Sequence, residues 1–257
     1  MPLTPFSGER ALQRLHELAQ RAAARRAAGR SADPLGMGAA LAATGAQALA
    51  PEAAGAPGLL GARVPGREAG PPWLLCTHHR TTAGLRDWRP NAHGSGTALL
   101  LTLLDCLRPA PPAQDVLCLS FPLAPQEPLP GRAAEAWAAR GLLPLRGVLA
   151  VWQVAAPGLA LELDLRSLSL PAARALTLEL FGLGRALGHA AFARGTQLAF
   201  PGLHVPFLER GLPALALCAA TDLAAGSPDD TLAGCAADSL AAVGETLLRF
   251  LRGERVV

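Results

Sequence analysis

The stretch Pro71–Leu107, "PPWLLCTHHRTTAGLRDWRPNAHGSGTALLLTLLDCL", decides how the rest of the chain is read. A Gly/Pro turn releases a short apolar run, Trp73–Cys76, that ends on two histidines, His78 and His79. A run of that length between turn residues reads as a buried strand. His93 sits in a glycine-containing turn, and from Ser95 to Leu107 the apolar spacing becomes helical.

The same alternation continues outward. Residues 8–30 repeat apolar positions at helical spacing, with Ser7 and Arg10 placed for an N-terminal cap. A second helix is expected over 35–48, ending near Gly45. The strand Gly58–Val64 is joined to "WLLCTH" by "PGREAGPP", which suggests a hairpin. Asp115–Phe121 reads as a buried strand, "GRAAEAWAARG" as a helix closed by Gly141, and "GVLAVWQV" as another strand. "LALELDL", Leu159–Leu165, alternates apolar and acidic residues as a half-exposed strand does. Helix 171–189 has Pro171 in its first turn, "TQLAFPG" is a short strand or loop, "PALALCA" is a strand, and a helix spans Asp238–Leu251. Strands alternating with helices specify α/β with a mostly parallel sheet. The segment Gln47–Pro57 is too short to divide the chain, so residues 1–257 are read as one domain.

Composition narrows the function classes. Of 257 residues 51% are apolar and 17% charged, ample for a core. There is no Lys, Ile or Tyr, and Asn91 is the single Asn. A net charge of +3, spread along the chain apart from Arg21, Arg25, Arg26 and Arg30, is too small to argue for nucleic acid. No apolar run reaches the ~18 residues a membrane span needs, and the amphipathic, acid-containing start is not a signal peptide. The five cysteines form no CxxC pair and mostly lie in apolar runs, which fits a reducing, cytoplasmic setting.

Three kinds of chemistry are testable on these residues. A strand-end histidine such as His78 is well placed for a metal, since active groups of open α/β sheets gather at the carboxyl ends of strands. His78 and His79 point to opposite sides of an extended segment, whereas Cys76 shares the face of His78. A nucleophile elbow at Ser95 fails, because His93 stands where a glycine is needed. No phosphate-binding glycine pattern occurs. Asp229 and Asp230 fit turn and cap duty.

Six segments in order resemble the zinc-dependent aminopeptidases and glutaminyl cyclases. They are "FSGERALQRL" (Phe6–Leu15), "GLLGARVPGRE" (Gly58–Glu68), "WLLCTHHRT" (Trp73–Thr81), "RPNAHGSGTALLLTLL" (Arg89–Leu104), "GLHVPFLERGLPAL" (Gly202–Leu215) and "AAGSPDDTLAG" (Ala224–Gly234). The resemblance implies a three-layer α/β fold with a mixed, mostly parallel central sheet flanked by helices, and in active members two zinc ions with a Glu as base. Carried over position by position, it keeps the first ligand as His78. Arg80 stands where that motif has Asp, and Ala92 stands at the bridging Asp, with His93 next to it. The Glu pair falls on Ala124 and Pro125, leaving Glu127 as the nearby acid. Gln153 and Gly226 occupy the remaining Asp and His positions, and His204 remains beside Leu203, where the pattern has Asp.

A bridging carboxylate neutralises two cations about 4 Å apart. Alanine cannot do so, and Arg80 adds positive charge there. The resemblance with these losses implies a protein without catalysis or cofactor that binds a protein or peptide partner, an active relative or a second copy, with Trp88 and Trp152 as lining residues. Arg80 would pair with Glu127 or Asp87. The alternative is a rebuilt mononuclear zinc site from Cys76, His78, His93 and His204, with Glu127 as base.

Overall fold

The computed structural model describes residues 5–28, 41, 44, 46–48, 58–80, 88–124, 126–140, 144–193 and 195–254. In chain order the elements are α1 (Gly8–Ala28), β1 (Gln47–Ala48), β2 (Leu60–Val64), β3 (Trp73–Arg80), a π-helical turn (Pro90–Gly94), α2 (Ser95–Leu107), β4 (Val116–Leu123), α3 (Arg132–Arg140), β5 (Gly147–Val151), β6 (Leu163–Asp164), α4 (Leu165–Ser169), α5 (Pro171–Ala186), β7 (Gln197–Leu198), α6 (Val205–Leu208), β8 (Ala214–Leu217) and α7 (Ala237–Arg252).

Six strands form the central sheet in the order β1-β2-β4-β3-β5-β8. Strands β4, β3, β5 and β8 run parallel, and β1 and β2 add an antiparallel edge. Alternating residues of β3 feed different cores. Trp73 and Leu75 pack with α1, α2 and α7, and Leu74 and Cys76 pack with residues of α3 and α6. This is the three-layer arrangement, with both sheet faces covered.

Three local expectations change. The hairpin does not form: β2 pairs with β4, and β4 lies between β2 and β3. A turn rich in Gly and Pro allows a hairpin, but parallel pairing of β3 with β4 takes up that edge of β3 first. The expected helix over 35–48 ends in a strand, because Gln47 and Ala48 pair with Arg63 and Ala62; most of its earlier residues and the closing Gly141 lie outside the described residues. "LALELDL" forms only the two-residue β6 before α4 begins, and its acids are buried rather than exposed: Glu162 and Asp164 are 4% and 3% accessible.

The start of α2 fixes the site's position. Gly96 lies against the sheet so closely that a Cβ there would sit 2.3 Å from both Thr77 Oγ1 and the Val151 carbonyl. Only glycine lets the helix seat on β3 and β5 at that depth.

Candidate functional site

The carboxyl ends of the parallel strands present His78 and Arg80 from β3, Ala124 after β4, Gln153 after β5, and Cys218 after β8. The π-helical turn brings His93 over this edge, with the His78 and His93 rings 6.0 Å apart and edge-on. Asn91 and Asp230 hold that turn in place. Asp230 accepts from the backbone N–H groups of Asn91 (2.8 Å), Ala92 (2.9 Å) and Gly226 (3.0 Å). The Asn91 side chain donates to Asp222 and accepts from Ala155 N–H, and its carbonyl accepts from Ser95 Oγ. Asp230 thus does its cap duty across the site, satisfying a helical turn far from it in sequence.

Arg80 enters this group as a cross-link. Its Nε donates to His93 Nε2 (3.1 Å) and its Nη1 to the Ala124 carbonyl (2.6 Å). The backbone N–H of Arg89 donates to His93 Nδ1 (2.9 Å). A neutral imidazole has one lone pair available, so whichever tautomer forms, a donor already claims it. Burial, then the charge of Arg80, holds His78 down to about 3. Burial, then His78, Arg80 and Arg89, holds His93 down to about 2. Both rings are neutral at pH 7, and the groups acting on them are cations, one another and backbone.

Of the expected site residues, His78, Arg80, Ala92, His93 and Gly226 come together; a Cβ on Gly226 would lie 3.8 Å from that of Ala92. Gln153 follows β5 with a left-handed backbone (φ 54°), and its carbonyl accepts from Ala219. Glu127 turns its carboxylate to the N–H groups of Ala124 and Arg132. The other partner expected for Arg80, Asp87, lies outside the described residues. His204 is elsewhere: fully buried, it pairs through Nε2 with Asp164 and lies between Trp152 and Phe200, at ring distances of 6.2 and 5.6 Å. Burial lowers its pKa, and the Asp164 carboxylate opposes that shift. Trp88, expected to line a pocket, is buried in the core with α1 and α2.

The rebuilt zinc set is therefore not assembled. Among the described residues no group of three or more His, Cys, Asp or Glu side chains is arranged to hold a metal. Cys76 is buried in the core below the strand end, and His204 is committed to Asp164. The residues present do not fit a zinc pair: each ring nitrogen of His93 faces a donor, and Arg80 stands beside both histidines.

Sequence reasoning missed Asn91, Glu162, Asp164 and Asp230 as organising residues. A signal existed for one of them, since Asn91 is the chain's single asparagine beside His93. Glu162 accepts from Ala220 N–H and Thr221 Oγ1, partners 58 and 59 residues away.

The sequence matches no protein-family profile and no curated protein. Solved structures match across nearly the whole chain. A glutaminyl cyclase of Bacteroides thetaiotaomicron, bound to N-acetylhistamine, superposes with a TM-score of 0.77 at 13% identity, over 98% of this chain and 100% of that one. The fold is that of the glutaminyl cyclases and zinc-dependent exopeptidases. A Zn-dependent exopeptidase of Parabacteroides distasonis gives 0.76 at 15% identity, covering 98% and 100% of the two chains. The Porphyromonas gingivalis glutaminyl cyclase gives 0.75 at 19%, covering 96% and 98%. Among the described residues no helix is long and apolar enough to cross a membrane.

Proposed function

We propose that this chain is a non-catalytic protein on an exopeptidase-like fold, working in the cytoplasm by binding a protein or peptide partner or as a subunit of a complex. The observation that carries the reading is the Arg80–His93 contact at the strand ends. A guanidinium there competes for the lone pair a divalent cation would need and repels the cation itself. The described positions at which the resemblance expects carboxylates or further ligands hold Ala92, Ala124, Gln153 and Gly226, which supply neither anionic ligands nor a carboxylate base to activate water. The surrounding core and hydrogen bonds keep the edge ordered, which suits a preformed binding surface.

The test is elemental analysis of the purified protein, together with assays for amine release from aminoacyl arylamides and for cyclisation of glutaminyl peptides. The expected result is zinc far below one per chain and no turnover above blank. Stoichiometric zinc with turnover would overturn the reading in favour of a rebuilt mononuclear site.

A further inference from the structure

A broad groove opens at the opposite, amino-terminal edge of the sheet. Trp73, Arg146 and Pro213 line it from the starts of β3, β5 and β8, and the walls come from α5 and the end of α7. Its volume is about 1020 Å³. That lies at the upper end for small-ligand pockets, roughly 300–1,000 Å³, and the groove is half open. The exposed wall of α5 is built from Ala172, Ala175, Glu179, Gly182 and Ala186, spaced by three or four residues. Small side chains in that pattern leave room for another helix to approach closely. The floor is aromatic: Trp73 meets Phe250 edge-on at 5.1 Å, and the Arg146 guanidinium lies 5.5 Å from the indole centre.

Charge selects the occupant. The protein is net positive, yet this groove carries Glu68, Glu179 and Glu254 against Arg146 alone. Glu254 faces Arg249 and Arg252 at 3.9 and 3.8 Å, and Glu68 accepts from Gln114. Glu179 is exposed and forms no ion pair among the described residues. An apolar wall, an indole already holding one guanidinium, and an unmatched carboxylate suit a ligand with an apolar face and basic side chains.

We propose that the α5–α7 groove docks an amphipathic, arginine-bearing helix of a protein partner. Its apolar face packs on the alanine wall and Phe250, and its basic residues meet Glu179 and Glu68. This surface is independent of the His78–Arg80 edge.

The test uses the full chain and two fluorescein-labelled 14-residue peptides, one with Leu and Arg at helical spacing on an Ala background, the other with Glu in place of Arg. Fluorescence anisotropy is expected to show binding of the Leu/Arg peptide, weakened by salt, and none of the Leu/Glu peptide. Glu179→Arg reverses the key charge and is expected to weaken binding about tenfold or more. Gly182→Trp blocks the wall and is expected to do the same; a Cβ there meets nothing closer than Arg185 Nη2 at 4.0 Å, so the fold has room for it. Arg80→Met is expected to leave the affinity unchanged. No binding of the Leu/Arg peptide, equal binding of the Leu/Glu peptide, or unchanged affinity in both groove variants would each overturn the proposal.

Discussion

Replacing Arg80 by Met tests whether this side chain ties the strand edge together. Met keeps an apolar stem of similar length and removes the guanidinium. Two contacts disappear: Nε to His93 Nε2 at 3.1 Å and Nη1 to the Ala124 carbonyl at 2.6 Å. His93 is only 7% accessible, so its Nε2 is left without a partner out of water; that costs about 1–3 kcal/mol. The Ala124 carbonyl is reached by water and adds little. A loss of about 2 kcal/mol is therefore expected, which for a chain of this size lowers Tm by roughly 4–8 °C. Arg80→Lys is not expected to rescue, because one ammonium cannot serve both acceptors. The surface pair of Arg63 with Asp115 is the control: Arg63 is 48% accessible, and Arg63→Met should cost less than about 1 kcal/mol. Urea unfolding followed by circular dichroism at pH 7.5 measures all three variants. If Arg80→Met loses no more stability than Arg63→Met, Arg80 is not a cross-link and the account of the site is wrong.

Asp230→Ala strips three backbone N–H groups of their acceptor and is expected to cost about 3–5 kcal/mol, with hydrogen exchange at residues 90–94 accelerated; exchange at the wild-type rate would refute the cap role. Asp164→Ala leaves His204 buried without its partner, at a cost of roughly 3 kcal/mol. Combining it with His204→Phe should cost less than the two single losses added together, and a coupling energy near zero from the double-mutant cycle would argue against the pair. For pH, the folded pKa values of His78 and His93 lie below the unfolded one, so the unfolded state takes up protons first as pH falls. Stability from these rings is full above about 6.5 and declines toward about 3 for His78 and about 2 for His93. The slope is about 1.4 kcal/mol per pH unit for each histidine. His93→Phe should flatten the measured slope between pH 6 and 4, and an unchanged slope would contradict the assignment.

Much of the architecture was legible because its signals are local. The helical spacing of α1, α2, α5 and α7, and the apolar runs of β3, β4, β5 and β8, follow from burying one stripe or both faces of an element, and the sequence carries that pattern directly. Which site positions hold no carboxylate was equally readable, since a residue's identity needs no coordinates. Strand order was not readable: the turn before β3 permits a hairpin, and only the competition of β4 for the edge of β3 excludes it. Nor was the fate of the acids. Glu162 and Asp164 alternate with leucines as solvent-facing residues do, yet both are buried because their partners arrive from 40 to 59 residues away. The pairing of Arg80 with His93, and the separation of His204 from both, were settled by tertiary packing alone. A hydrogen bond depends on where two atoms meet, and for distant residues only the fold sets that distance.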